Sequence, residues 1–140
     1  MSKSYVSTSL RRLVAKRSHD CCEYCLQPEA FAFCPHEVDH IIAEKHDGKT
    51  VESNLALACK FCNTFKGSDI ASIDPETQIT TPLYHPRHDR WQDHFILQDA
   101  ELMGLTAIGR TTIWLLRLNR NDRLQERQLW LALGLIQLPE

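Results

Sequence analysis

Two Cys-x-x-Cys pairs, Cys22/Cys25 and Cys59/Cys62, constrain this chain more than any other feature, and 33 residues, 26–58, lie between them. Each pair is a knuckle that turns two sulfurs toward one ion, and two knuckles make a closed tetrahedral zinc site with Zn–S bonds of ~2.3 Å. The gap is longer than in a common zinc ribbon, so it encloses folded chain, and Asp39-His40 lies inside it. Four thiolates leave no open coordination position, so a zinc held this way is structural. The competing reading of Cys-x-x-Cys, a redox dithiol, belongs with a βαβ pattern that the flanking sequence does not offer. Met1–Leu10 has no apolar leader, so the cysteines are read as metal ligands or free thiols rather than disulfides, in a chain expected in the cytoplasm. Cys21 and Cys34 are surplus. Cys21 adjoins Cys22, but the two-residue spacing selects Cys22.

The apolar periodicity around this staple gives the expected elements. Val6, Leu10, Leu13, Val14 and Arg17 recur at helical spacing over 6–18, with serines and threonines available as caps. Val38, Ile41 and Ile42 make a short β-favouring run around Asp39-His40, His46–Lys49 is turn chemistry, and Leu55–Ala58 is a second short strand. Lys60 to Gly67 allows about two helical turns, with Gly67 as the stop. The order is strand, loop, strand, helix. Beyond Pro75 the texture changes. Residues 75–104, with three prolines, read as strands and ordered loops, 106–119 as a helix, and Arg123 to Leu133 as a last helix capped by Asn121-Asp122 and closed by Gly134. Trp114 and Trp130 fall on leucine-rich helices and are expected in the core. The division is therefore 1–74 for the stapled unit and 75–140 for a mostly helical extension packed on it.

Composition excludes some classes and leaves others open. With 43% hydrophobic and 24% charged residues in 140, the chain can bury a core, and no run approaches the ~18–20 apolar residues that cross a bilayer. Net charge is only −2, but its distribution is uneven. Lys3, Arg11, Arg12, Lys16 and Arg17 stand against Asp20 alone, and five arginines lie in 107–130. Glu37, Asp39, Glu44, Asp47 and Glu52 crowd 36–54. An acidic centre between basic arms suits a metal site approached by a polyanion, although solvated helix faces produce the same pattern.

Phosphodiester hydrolysis needs a base for water, a cation against the phosphate and help for the leaving oxygen. Asp39 is a hard oxygen ligand for Mg²⁺ or Mn²⁺, and a neutral His40 can accept a proton near pH 7. Asn63 follows the second knuckle directly, so the zinc fixes its place. Lys66, three residues on, shares its helix face and is a candidate phosphate contact. Glu37 lies one strand step from Asp39, on the same face. His85, His88 and His94 stand among Arg87, Arg90 and Trp91, a composition that suits either DNA contact or packing of an ordered loop.

Taken together, Cys22-x-x-Cys25, Glu37-Val-Asp39-His40-Ile-Ile, Asn54-Leu and Cys59-x-x-Cys62-Asn63-x-x-Lys66 resemble the zinc-bearing branch of the HNH endonucleases across residues 18 to 70. The resemblance implies an α+β chain with a ββα-metal (His-Me finger) core and a four-cysteine zinc staple. It makes His40 the general base, Asp39 a metal ligand and Asn54 the brace of the loop that carries the base. Asn63 stands where the last His of the family name would be. Leu83–Phe95 and Gly104–Gly109 resemble, more loosely, tails of bacterial and notably cyanobacterial HNH proteins. The expected activity is hydrolysis of DNA, with Mg²⁺ or Mn²⁺ held by Asp39 and Asn63; the residues do not set DNA apart from RNA. The alternative is a zinc-stapled nucleic-acid-binding module without catalysis.

Overall fold

The computed structural model describes residues 5–139, so Lys3 of the basic N-terminal arm lies outside the described residues. Helix α1, Thr8–Arg17, begins where the Ser7 hydroxyl accepts the Leu10 N–H at 3.2 Å, and Lys16 and Arg17 in its last turn suit the negative end of the helix dipole. Its Val14 is buried against Val38, Leu55 and Leu57, with Val6 and Leu10 closing the edge, while Leu13 turns outward.

The two strands expected inside the staple form. β1, Glu37–His40, pairs antiparallel with β2, Leu55–Ala58, setting Asp39 opposite Ala56 and His40 opposite Leu55. Helix α2, Lys60–Lys66, follows at once: the Cys59 sulfur accepts the Cys62 N–H and caps it, and Gly67, at φ 51°, ends it. Alternation sorts β1 between two neighbours. Val38 faces α1, whereas Glu37 and Asp39 reach α2. The connection 41–54 folds tightly on itself. A Cβ at Gly48 would sit 1.6 Å from the Ile42 carbonyl oxygen, so only glycine fits that crossing.

Hairpin β3–β4, Ala71–Ile73 with Thr80–Pro82, runs across position 74. A short helix α3, Trp91–His94, leads into β5, Phe95–Gln98, which pairs with β6, Glu101–Gly104. Helix α4, Ala107–Leu116, is capped by the Thr106 hydroxyl, and α5 spans Asn121–Ala132. Two expectations need correction here. The position before α5 is Arg120, without a side-chain cap; Asn121 and Asp122 are already helical, and the Asp122 carboxylate binds Arg120. Trp130 is buried, but Trp114 is 66% exposed, because α4 turns Thr111, Thr112 and Leu116 inward and leaves the tryptophan on the outer side.

One apolar cluster joins the knuckles to the extension: Cys22, Tyr24, Cys25, Leu26, Cys59 and Cys62 pack with Trp91, Phe95, Leu102, Leu116 and Leu118. The result is a mixed α/β chain of small antiparallel sheets and five α-helices among the described residues, with a four-cysteine cluster that fits a zinc-stapled HNH core. No helix among the described residues is long and apolar enough to cross a membrane.

Candidate metal centre and nuclease site

The four knuckle sulfurs converge. The Sγ atoms of Cys22, Cys25, Cys59 and Cys62 lie within 4.8 Å of one another, all buried, and Cys25 and Cys59 are 3.5 Å apart. Four ligands at ~2.3 Å around a tetrahedral zinc stand about 3.8 Å from each other, so the cluster has the size and donor chemistry of that ion. In each knuckle a backbone N–H donates to the first sulfur, Cys25 to Cys22 at 3.5 Å and Cys62 to Cys59 at 3.4 Å. Cys21 is outside the cluster, its backbone bridged to Pro28, and Cys34 is exposed.

Two arginines reach this centre from the far end of the chain, and no local sequence signal pointed to them. Arg123 Nη2 donates to Cys25 Sγ at 3.1 Å and to the Gln27 side chain at 3.2 Å. Arg127 is fully buried, and each of its three guanidinium nitrogens donates to an oxygen: the carbonyls of Leu118 (2.7 Å), Ala100 (2.9 Å) and Cys25 (3.4 Å), with Asn119 Oδ1 as a fourth acceptor. No carboxylate pairs with Arg127 among the described residues. Burial works against the Arg123 charge, but the Cys25, Cys59 and Cys62 sulfurs outweigh it and hold its pKa above the ordinary value. For Arg127 burial wins and the pKa falls. A zinc tetrathiolate carries two net negative charges, which these two guanidinium groups match.

The second cluster forms where β1 faces α2. Asp39, only 3% exposed, receives Lys66 Nζ at 3.1 Å and the Tyr24 hydroxyl at 3.1 Å. Lys66 is 2% exposed and also donates to the His40 carbonyl at 3.2 Å, so its ammonium is internal rather than offered on the surface. Asn63 donates its amide to Glu37. Glu37, Asp39, Asn63 and Lys66 are thus gathered on one side of β1. Tyr24, inside the first knuckle, was missed in the sequence; its place between two zinc ligands was the available signal.

The His40 side chain takes the other direction. As the last residue of β1 it projects toward the 44–50 turn, where Nε2 lies 2.9 Å from Thr50 Oγ1 and 3.5 Å from Glu44 Oε1. Asn54 ties that turn down: its Oδ1 accepts the Ile42 N–H at 2.9 Å, and its Nδ2 donates to the carbonyls of Ile42 (3.0 Å) and Lys49 (2.9 Å). Its backbone carbonyl accepts the Ile41 N–H at 2.8 Å. Side chains of adjacent strand residues diverge, which is why Asp39 and His40 engage different partners.

The histidine-rich segment is partly packed, with His88 and Arg90 exposed. Trp91 is buried and tilts against Phe95, and His94 Nδ1 meets Thr106 Oγ1 at 2.6 Å. Arg87 pairs with Glu23, and the His85 and His88 rings stack at 3.8 Å.

Two cysteine knuckles thus hold a ββα unit in which Asp39 faces the Asn63-bearing helix and His40 faces the 44–50 turn. Residues 22–69 match the family model described as HNH endonuclease. Neither the curated proteins nor the solved structures searched contain a match to the chain.

Proposed function

We propose that this protein is a metal-dependent endonuclease that hydrolyses phosphodiester bonds in DNA, with a structural zinc on Cys22, Cys25, Cys59 and Cys62. The observation that carries the reading is that the HNH-matched segment contains both the Asn54-braced His40 turn and a β1–α2 face rich in oxygen donors. His40 takes the proton from the attacking water. Glu44 and Thr50, both at Nε2, orient the ring and leave Nδ1 for the water. Asp39 and Asn63, with Glu37 beside them, offer hard oxygen donors of the kind Mg²⁺ or Mn²⁺ prefers. Such an ion supplies charge stabilisation to the phosphate and its leaving oxygen when bound. Lys66 balances the buried Asp39 carboxylate and holds the end of β1 through the His40 carbonyl.

The alternative is a nucleic-acid-binding module whose site is idle. It is favoured by two contacts: the Lys66 ammonium and the Tyr24 hydroxyl already occupy the Asp39 carboxylate. Supercoiled plasmid incubated with the purified protein and Mg²⁺, Mn²⁺ or EDTA separates the two. The endonuclease converts plasmid to open circles or linear product with a divalent ion and not with EDTA; the module shifts the plasmid in a gel without breaking it.

A further inference from the structure

Trp114, Arg117 and Arg120 are exposed side by side at the end of α4. Trp114, Arg117 and Arg120 line an open cavity of about 590 Å³ at the C-terminal end of α4, together with Ile113, Leu115 and Asn119. Arg117 stands in the left-handed conformation (φ 53°, ψ 47°), at a helix end that ordinarily takes glycine. It pairs with no carboxylate among the described residues, and its guanidinium lies over the Phe65 ring, 4.8 Å from the ring centre. Arg120 is bidentate to Asp122 and lies 5.8 and 5.9 Å from the rings of Phe61 and Phe65. Both phenylalanines belong to α2, the helix that carries Asn63, but two residues from it on either side, so they stand on the opposite face of that helix.

We propose that this surface binds an unpaired stretch of the nucleic-acid substrate, a base stacking on Trp114 while Arg117 meets a flanking phosphate. This rests on the nuclease reading above and adds to it where the strand lies. An indole face and nearby guanidinium groups are the two elements that single-strand binding combines, because every base has a π-face and every linker an anionic oxygen. The rival occupant of an exposed tryptophan, a second copy of this chain, suits the surface less well. A symmetric pairing would crowd the Arg117 guanidinium groups of both copies together, and the Asp122 carboxylate is already engaged by Arg120.

The test uses the full-length protein in EDTA, so that nothing is cut, with a twelve-nucleotide DNA strand and the matching duplex. Trp91 and Trp130 are buried, so an oligonucleotide that quenches tryptophan emission reports on Trp114. The expected results are quenching in the wild type, an about tenfold weaker single-strand affinity for Trp114→Ala with Trp114→Phe largely rescuing it, and a salt dependence about 0.7 shallower in log–log slope for Arg117→Ala. Zinc content and circular dichroism of the variants should match the wild type, since both side chains lie outside the core. Wild-type affinity in Trp114→Ala or Arg117→Ala overturns the proposal, as does an equal loss for strand and duplex. A change from dimer to monomer in Trp114→Ala with unchanged oligonucleotide affinity assigns the face to a second copy and also overturns it. Failure of the nuclease reading is distinguishable: the wild type would then bind the oligonucleotide yet leave plasmid intact with Mg²⁺ or Mn²⁺.

Discussion

Replacing Arg127 with methionine should destabilise this protein more than any surface change, although the residue lies far from the candidate site in sequence. The side chain is fully buried, and its three carbonyl bonds, at 2.7, 2.9 and 3.4 Å, tie α5 to Leu118, to Ala100 and to the Cys25 knuckle. Methionine retains much of the apolar stem but leaves three buried carbonyls without their donor, each worth about 1–3 kcal/mol. It also removes a buried cation, whose desolvation cost is recovered. Breaking one side of a buried charged network costs about 3–5 kcal/mol, against a total stability of about 5–15 kcal/mol for a domain. The expected midpoint is therefore lower by about 10–17 °C, and zinc should pass faster to a competing chelator because one cation near the thiolates is gone. Urea unfolding followed by tryptophan emission, with a colorimetric chelator for zinc, measures both. Arg127→Lys keeps the charge but not the planar fork and should fall between the two. A loss under about 1 kcal/mol in Arg127→Met with unchanged zinc release would refute the reasoning, placing the charge balance of the centre elsewhere.

Two further perturbations test other parts of the structure. Lys66→Met should cost about 3–5 kcal/mol because it strands the buried Asp39 carboxylate, and the double variant Asp39→Asn, Lys66→Met should recover much of that loss in urea unfolding; equal instability of single and double variants would argue against the pair. Asp74 is held well below the usual carboxylate range, first by hydrogen bonds from Arg110 and then by the Glu76 N–H and the Thr77 hydroxyl. Its folded pKa lies below its unfolded value near ~3.9, so its contribution is complete above that value and fades as pH falls toward the folded pKa. Thermal melts should show a constant gap between wild type and Asp74→Asn from pH 7 to about 5, narrowing below about 4; a gap that widens in acid would contradict the assignment.

Much of the stapled unit was legible in the sequence because its determinants are local. The knuckle spacing selects four sulfurs, Gly67 ends α2, and Leu55–Ala58 is the second strand, while the Val38, Ile41 and Ile42 run marks a first strand that in fact ends at His40. The extension was harder to read. Trp114 and Trp130 both sit on leucine-rich helices, and only the packing of α4 through Thr111 and Thr112 decides which is buried; small polar residues facing inward defeat a hydrophobicity rule. Asn121-Asp122 carries N-cap chemistry, yet both residues are already inside the helix, with Asp122 engaged by Arg120. Lys66 looks like a surface lysine in one dimension, and its burial depends on Asp39 across 27 positions. Arg123 and Arg127 lie 98 and 102 positions from the knuckle atoms they contact, a separation that no local pattern spans.

The central claim is that His40 drives metal-dependent cleavage on a zinc-held scaffold. The most direct measurement is plasmid nicking by wild type and His40→Ala, side by side, with zinc content determined on the same preparations. The account predicts nicking by the wild type with Mg²⁺ or Mn²⁺ and none with EDTA. It predicts a rate about 10²–10⁴-fold lower in His40→Ala, with one zinc per chain in both. Cleavage at the wild-type rate by His40→Ala, or no cleavage by zinc-loaded wild type with either ion, would contradict it.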